Sequence, residues 1–443
     1  MDTQNRSLNT HREEHDDTGC GLGRFSIGVG DRFGCEGVAQ LAALAAARRD
    51  GIRVTPVWNK SNREHTLIGT CPSDARAAAD AAVREAGWSS PYWLDADHIS
   101  LGNVDRFLDA CDFFTLDVAE QIGQACEPAA VEALAGRVEE RLGLAPALPG
   151  TGERLPLDRA ATRSAAGKYA AAVAEAGRIF RRIRSARGSR KFLVEVSLDE
   201  TDTPQSPQDL LVILTGLAAE GVPVDTLAPR FSGRFNKGVD YVGDPRQFAR
   251  EFELDVSVLA LAWQKLGFGD GLKLSVHSGS DKFAIYGPIR DILARTGAGL
   301  HLKTAGTTWL EELVGLALVG GDALAFVKDL WRQAVSRREE LSKPYATVLD
   351  IDPARLPTPE EVNTWDGPRF AAALRHDSRC PHYDPHFRQL LHVAFRLAAE
   401  AGDAFYRLLH DHRATIAREV TLNLLDRHVR SVFPSADHKQ AIT

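Results

Sequence analysis

Between residues 272 and 313 the chain writes one pattern twice. Two apolar, strand-like runs, residues 272–276 and 298–302, each deliver a histidine, His277 and His301. A short polar segment follows each: Ser278-Gly279-Ser280-Asp281-Lys282 and Lys303-Thr304-Ala305-Gly306-Thr307-Thr308. Each segment then opens a run whose apolar positions recur at helical spacing. Strand, loop and helix in repetition describe parallel strands joined by crossover helices. Histidines at the ends of neighbouring parallel strands face one shared mouth, where an α/β barrel builds its site.

The same alternation fills most of the chain. Strand-like runs at residues 25–29, 52–58, 91–94, 113–116, 191–196 and 224–228 precede the two already described, and helical periodicity follows each. Eight strands, each followed by helix, predict a (β/α)8 TIM barrel, an α/β fold. Residues 119–188 are too long and too rich in Ala, Arg and Glu for a loop, and predict a helical insertion after strand 4. Residues 1–23 are polar and aperiodic, which predicts a flexible tail. The barrel is expected over residues 24–340. A C-terminal helical extension packed on it is expected over 341–433, with its last helices at 387–400, 404–410 and 415–432.

A length of 443 residues exceeds one ordinary core, consistent with a barrel plus additions. The net charge of −7 argues against a nucleic-acid partner, which would call for a basic surface. No apolar run is long enough to span a bilayer and no signal pattern opens the chain, so no membrane partner is expected and the cytoplasm is the expected location. Six scattered cysteines without a CxxC pair exclude structural zinc and a disulfide framework. Any metal would therefore rest on histidines and carboxylates, as in a catalytic site.

If the barrel forms, charged groups at successive strand ends converge. His98, His277 and His301 are the expected ligands of a divalent metal, with Zn, Mn, Co or Ni favoured over Mg by the imidazoles. Asp97, adjacent to His98, is the candidate proton-transfer group. Glu195 is expected as a second base or fourth ligand, with Asp281 and Asp117 as rivals. Arg32, Lys60, Lys237, Lys282 and Lys303 are expected to bind substrate, joined by Arg388 (or Arg375) from the C-terminal region, since Arg suits a carboxylate. Thr304–Thr308 either cradles an anion or caps a helix. The run GVGDRFG (28–34) has GxGxxxG spacing in place of GxGxxG, with no ribose-binding acid at the expected distance, which argues against bound NAD.

These residues lie in blocks that resemble the tagaturonate epimerase family from about Phe25 to Phe433. The blocks include GVGDRFG (28–34), PVWNKSNREHT (56–66), LDADHI (94–99), FSGRFNKGVDYVGD (231–244), SVHSGSDKF (275–283), GLHLKTAGTTWLEEL (299–313) and FRQLLHV (387–393). The resemblance implies an isomerase that interconverts D-tagaturonate and D-fructuronate with a divalent metal, with family members that act on the ketohexoses fructose and tagatose. Residues 125–187 match less well. A fainter similarity to class II aldolases sets Asp97-His98 beside their Asp–His pair, and His277-Ser278-Gly279-Ser280 beside their His-Gly-Gly-Ser turn, short of one glycine.

In such a substrate the inverting carbon is one bond beyond the ketone's neighbour, so its hydrogen is not acidic. Retro-aldol cleavage, rotation of the aldehyde and re-addition need a metal and a base, and both are available here. Two other readings stay open: an aldolase that releases its fragments, and a non-catalytic sugar-acid-binding protein. The expected partners are a small keto-sugar acid or ketohexose, and homo-oligomerisation is left open.

Overall fold

The computed structural model describes residues 21–304 and 307–435. Most of the expected tail, and Ala305-Gly306 within the Thr304–Thr308 segment, lie outside the described residues.

Eight parallel strands close in sequence order. They are β1 (Phe25–Val29), β2 (Thr55–Ser61), β3 (Trp93–Ile99), β4 (Phe113–Asp117), β5 (Leu193–Ser197), β6 (Thr226–Ala228), β7 (Lys273–Val276) and β8 (Leu300–Lys303). Nearly every strand residue is buried, because one face fills the barrel and the other lies under helices. That double burial explains why the strands read as short apolar runs.

β3 departs from expectation. It runs on through Asp95 and Asp97, past residue 94, where the run was expected to end, although Asp is disfavoured in strands. Here both carboxylates meet one buried ammonium, so tertiary pairing overrides propensity. The β3–β4 register shifts between Ala96 and Ile99, and His98 within that bulge has φ +51°. Strict alternation would turn Asp97 inward and His98 outward. The bulge re-aims the imidazole toward the mouth, at the cost of a left-handed backbone in a non-glycine residue.

Helices α1 (Gly37–Arg49), α2 (Asn62–Ile68) and α3 (Pro72–Ala86) follow β1 and β2. The β4–β5 insertion holds α4 (Pro128–Leu142) and the 29-residue α5 (Arg159–Arg187). Asp158 caps α5 by accepting from the amides of Ala160 and Ala161. Its buried Ala166, Tyr169, Val173, Ala176, Ile179 and Ile183 recur at helical spacing and pack on α6 (Pro207–Ala219). α7 (Pro245–Leu266) and α8 (Phe283–Thr296) continue the outer ring.

After β8 the chain builds a second apolar core. α9 (Thr307–Val319) and α10 (Gly321–Ser336) contribute Trp309, Leu313 and Trp331, which pack with Phe370, Phe387 and Phe405. This core thus begins ahead of residue 340. The helix expected over 387–400 is two, Pro385–Val393 and Phe395–Ala401. The last helical run, from Arg413 through a π-helical stretch at Asn423–Val429 to Val432, returns to the barrel. It packs on α1 and α9 and ends against α8, with the Phe433 ring 5.1 Å from that of Phe25. The end of the chain, not α9, therefore fills the wall between α8 and α1. α9 is displaced outward to carry the second core. Among the described residues no helix is long and apolar enough to cross a membrane.

Candidate active site

Lys303, at the end of β8, stands at the centre of the mouth. Its ammonium lies 2.7 Å from Asp95 Oδ2, 2.8 Å from Asp97 Oδ1 and 2.9 Å from Glu195 Oε1, and donates to Thr115 Oγ1 at 2.7 Å. Gly28 on β1 makes room for it: a Cβ there would lie 3.1–3.2 Å from Lys303 Cγ and Cα. Burial penalises the ammonium, but the three carboxylates outweigh that and raise its pKa well above the usual lysine value. One ammonium does not neutralise three carboxylates. Burial, with Asp97 and Glu195 nearby, accordingly raises the Asp95 pKa although Lys303 opposes it. Against the same burial penalty, Lys303 and His98 lower that of Asp97 to about 2. Asp97 is thus an ionised carboxylate at neutral pH.

Beside this cluster stand His98 and His277, with ring centroids 5.1 Å apart. Glu195 Oε1 holds His277 Nε2 at 2.6 Å, which turns Nδ1 toward Asp199 Oδ1 at 3.1 Å. That Nδ1 is buried, and Asp199 is its partner. Asp117 Oδ2 lies 3.1 Å from His98 Nδ1, and Asp97 Oδ1 is 3.8 Å from its Nε2. Burial disfavours charge on both rings. Even so, Asp97 and Asp117 raise the His98 pKa to about 10, and Asp199 and Glu195 raise that of His277 to about 9. The surrounding carboxylates therefore favour a cation at this spot. His98, Asp199 and His277 each offer one ligand atom, all within 4.8 Å of one another, an arrangement able to hold a metal.

His301, expected as the third ligand, is not brought to the pair. Its register partner on β7 is Ser275, two residues below His277, and Lys303 occupies the level above. Its Nδ1 pairs with Ser26 Oγ at 2.9 Å inside the barrel, and burial lowers its pKa to about 3. Asp199 stands where the third histidine was expected. A signal for it existed in the sequence: Asp199 is a carboxylate two residues past Ser197, the last residue of β5. Of the rivals to Glu195, Asp117 faces His98, whereas Asp281 points away, to Arg388 at 2.9 Å and His376 at 3.5 Å.

The cleft above these groups has a volume of about 300 Å³. Arg32, Lys237, Lys282 and Lys303 line it, but Lys60 and Arg388 do not. Lys60 donates to the Arg32 carbonyl from a buried position beside Asp31. Arg388 is fully buried and binds the carbonyls of Gly238 and Leu374 as well as Asp281. Both are scaffolding, not the substrate contacts expected. The Lys282 amine is likewise engaged, by the carbonyls of Asn236, Val239 and Ser280. Asn59 on β2 lines the cleft with both side-chain amide atoms buried and without hydrogen bonds. Tyr345 and His392 reach the cleft from the C-terminal region.

A closed parallel barrel with two imidazoles, an ionised carboxylate and a buried lysine gathered at the carboxyl ends of its strands defines a barrel enzyme with a polar, cation-seeking site. The chain belongs to the tagaturonate epimerase family, whose family model matches residues 5–431, and is thus a carbohydrate epimerase of the isomerase class. It is 29% identical over 418 residues to the tagaturonate/fructuronate epimerase of Thermotoga maritima, covering 92% of this chain and 80% of that one. The crystal structure of the fructuronate-tagaturonate epimerase UxaE from Cohnella laeviribosi superposes with a TM-score of 0.72 at 26% identity, covering 92% of this chain and 82% of the other. A glycerol complex of the same enzyme matches equally.

Proposed function

We propose that the enzyme interconverts D-tagaturonate and D-fructuronate by retro-aldol cleavage and re-addition, with a divalent cation held by His98, Asp199 and His277. The donor set fits such an ion. Two imidazoles and a carboxylate suit Zn, Mn, Co or Ni better than Mg. Glu195 and Asp117 each face a ring nitrogen of a ligand histidine, as outer-shell carboxylates do at metal sites. His277 Nδ1, 3.1 Å from Asp199 Oδ1, supports the same reading by bringing two donor atoms together. When bound, the ion would polarise the ketone and stabilise the negative charge that develops as the carbon–carbon bond breaks.

The protein's own groups supply the rest. Asp97 takes the proton from the hydroxyl on the inverting carbon. The alkoxide electrons form the aldehyde carbonyl, and those of the adjacent carbon–carbon bond pass to the ketone fragment as an enediolate. Lys303, 2.8 Å from Asp97, keeps that carboxylate ionised beforehand and adds positive charge near the fragment. The aldehyde turns its other face, the bond re-forms and Asp97 returns the proton. Asn59 is placed to hold a substrate hydroxyl, for which its unpaired amide is suited.

The observation that carries this reading is the position of Asp97, an ionised base between Lys303 and His98 at the edge of the cation-seeking group. Protein loaded with Zn, Mn, Co or Ni in turn and given D-tagaturonate should form D-fructuronate, followed by NMR. Stoichiometric free aldehyde would identify a lyase instead. Binding without turnover under every metal would identify a sugar-acid-binding protein.

A further inference from the structure

Two groups of charges line the cleft. Asp97, Asp199, His98 and His277 stand with Lys303 among them, whereas Arg63 and Lys237 gather at the Tyr345 ring and Arg32 is paired with Glu64. Arg32 is engaged: its Nε meets Glu64 Oε1 at 2.9 Å, Nη1 donates to the His392 carbonyl, and the guanidinium lies 4.0 Å from the Phe395 ring centre. Arg63 is exposed and leans on the Tyr345 ring. Lys237 differs from both. Its amine stands 5.6 Å from the Tyr345 ring centre and, among the described residues, makes no hydrogen bond or ion pair. Glu64, whose charge acts on Lys237, is already held by Arg32 and accepts from the Ser61 amide.

The backbone around Lys237 is fastened on both sides. Its own amide donates to the Val348 carbonyl, Lys282 grips the carbonyls of Asn236 and Val239, and Arg388 donates to that of Gly238. Gly238, with φ +74°, lies against the His392 ring, where a Cβ would come within 3.3 Å of Cδ2. Lys282 and Arg388, expected to touch substrate, instead set the loop that presents Lys237. A half-buried ammonium fixed over an aromatic ring without a counter-ion is costly unless an anion arrives. Burial, with Arg32 and Arg63 nearby, lowers its pKa, as expected for a cation awaiting an anion.

We propose that Lys237 binds the carboxylate of the substrate and sets the preference for a keto-uronate over the neutral ketohexose of the same skeleton. This rests on the proposed function. The ketone end of the sugar faces the histidines and Asp199, which leaves the carboxylate for the basic groups at the Tyr345 ring. A neutral sugar offers nothing to the ammonium.

The test compares kcat/KM for D-tagaturonate and D-tagatose in the wild type, Lys237→Met and Lys237→Arg, all in the metal-loaded full chain. Lys237→Met should lower kcat/KM for tagaturonate by ~30-fold or more, chiefly through KM, the scale of one lost charge-assisted hydrogen bond. Tagatose should change by no more than ~2-fold, and Lys237→Arg should restore most of the preference for the uronate. Because both substrates are measured on one preparation, a misfolded fraction cancels in the ratio. If tagatose turns over too slowly, its Ki against tagaturonate replaces its kcat/KM. An equal fall for both sugars, or an unchanged value for tagaturonate, overturns the assignment of Lys237. A wild type inactive on both sugars overturns the proposed function itself, and with it this inference.

Discussion

Lys303 Nζ lies 2.7 Å from Asp95 Oδ2, tying the last strand of the barrel to the third across the floor of the mouth. Both side chains are almost wholly buried, and Asp97 and Glu195 share the same ammonium. Removing one partner of a buried ionic group leaves the others uncompensated, at a cost of roughly 3–5 kcal/mol. Lys303→Met should therefore lower the unfolding free energy by about that much in urea at neutral pH. Adding Asp95→Asn to it should recover part of the loss. A decrease below ~1 kcal/mol would mean the cluster is solvated and not a buried ionic unit.

Asp199 and His301 separate two ligand sets. Asp199→Asn should lose most of the bound Zn or Mn by elemental analysis, because it removes a charged donor from the His98–His277 group. His301→Ala should keep its metal, since that ring faces Ser26 one level deeper. Metal retained in the first variant and lost in the second would restore the three-histidine set.

Much of this fold was legible in the sequence because a barrel strand is buried on both faces and shows as an apolar run. The mouth was legible where a charged residue directly ends such a run, as at His277 and Lys303. What was not legible depends on register. His277 and His301 look equivalent along the chain, yet Ser275, not His277, lies opposite His301. His98 faces the mouth because of a bulge with φ +51°, which composition does not announce. Arg388 and Lys60 carry charges that read as functional, and only their carbonyl partners reveal them as scaffolding. The return of residues 413–432 to the barrel wall is a long-range packing event with no local signal.

Asp97→Asn keeps the size of the side chain but cannot accept a proton. Turnover of D-tagaturonate should fall by ~100-fold or more while metal content stays at the wild-type level. Activity within a few-fold of wild type would move the base to another carboxylate, with Glu195 first in line.

Glu312 on α9 is buried, with neither carboxylate oxygen hydrogen-bonded, and it faces Glu36 and Asp31. Burial and these neighbours raise its pKa well above the usual range, and burial with Asp31 raises that of Glu36 from 4.5 to about 8. In that window the folded state binds more protons than the unfolded one, so stability falls as pH rises. The stabilisation is complete below 4.5 and lost as pH climbs through about 8. Glu312→Gln should flatten the Tm–pH profile and raise Tm on its alkaline side. An identical profile in the variant would show that these acids do not govern it.

The central claim is that the inverting carbon changes configuration by breaking a carbon–carbon bond. In that route the carbon becomes an aldehyde and keeps its own hydrogen, whereas deprotonation would import one from solvent. Metal-loaded enzyme converting D-tagaturonate in D2O should give D-fructuronate with no deuterium at the inverted carbon by NMR. One deuterium per turnover at that position would contradict the account.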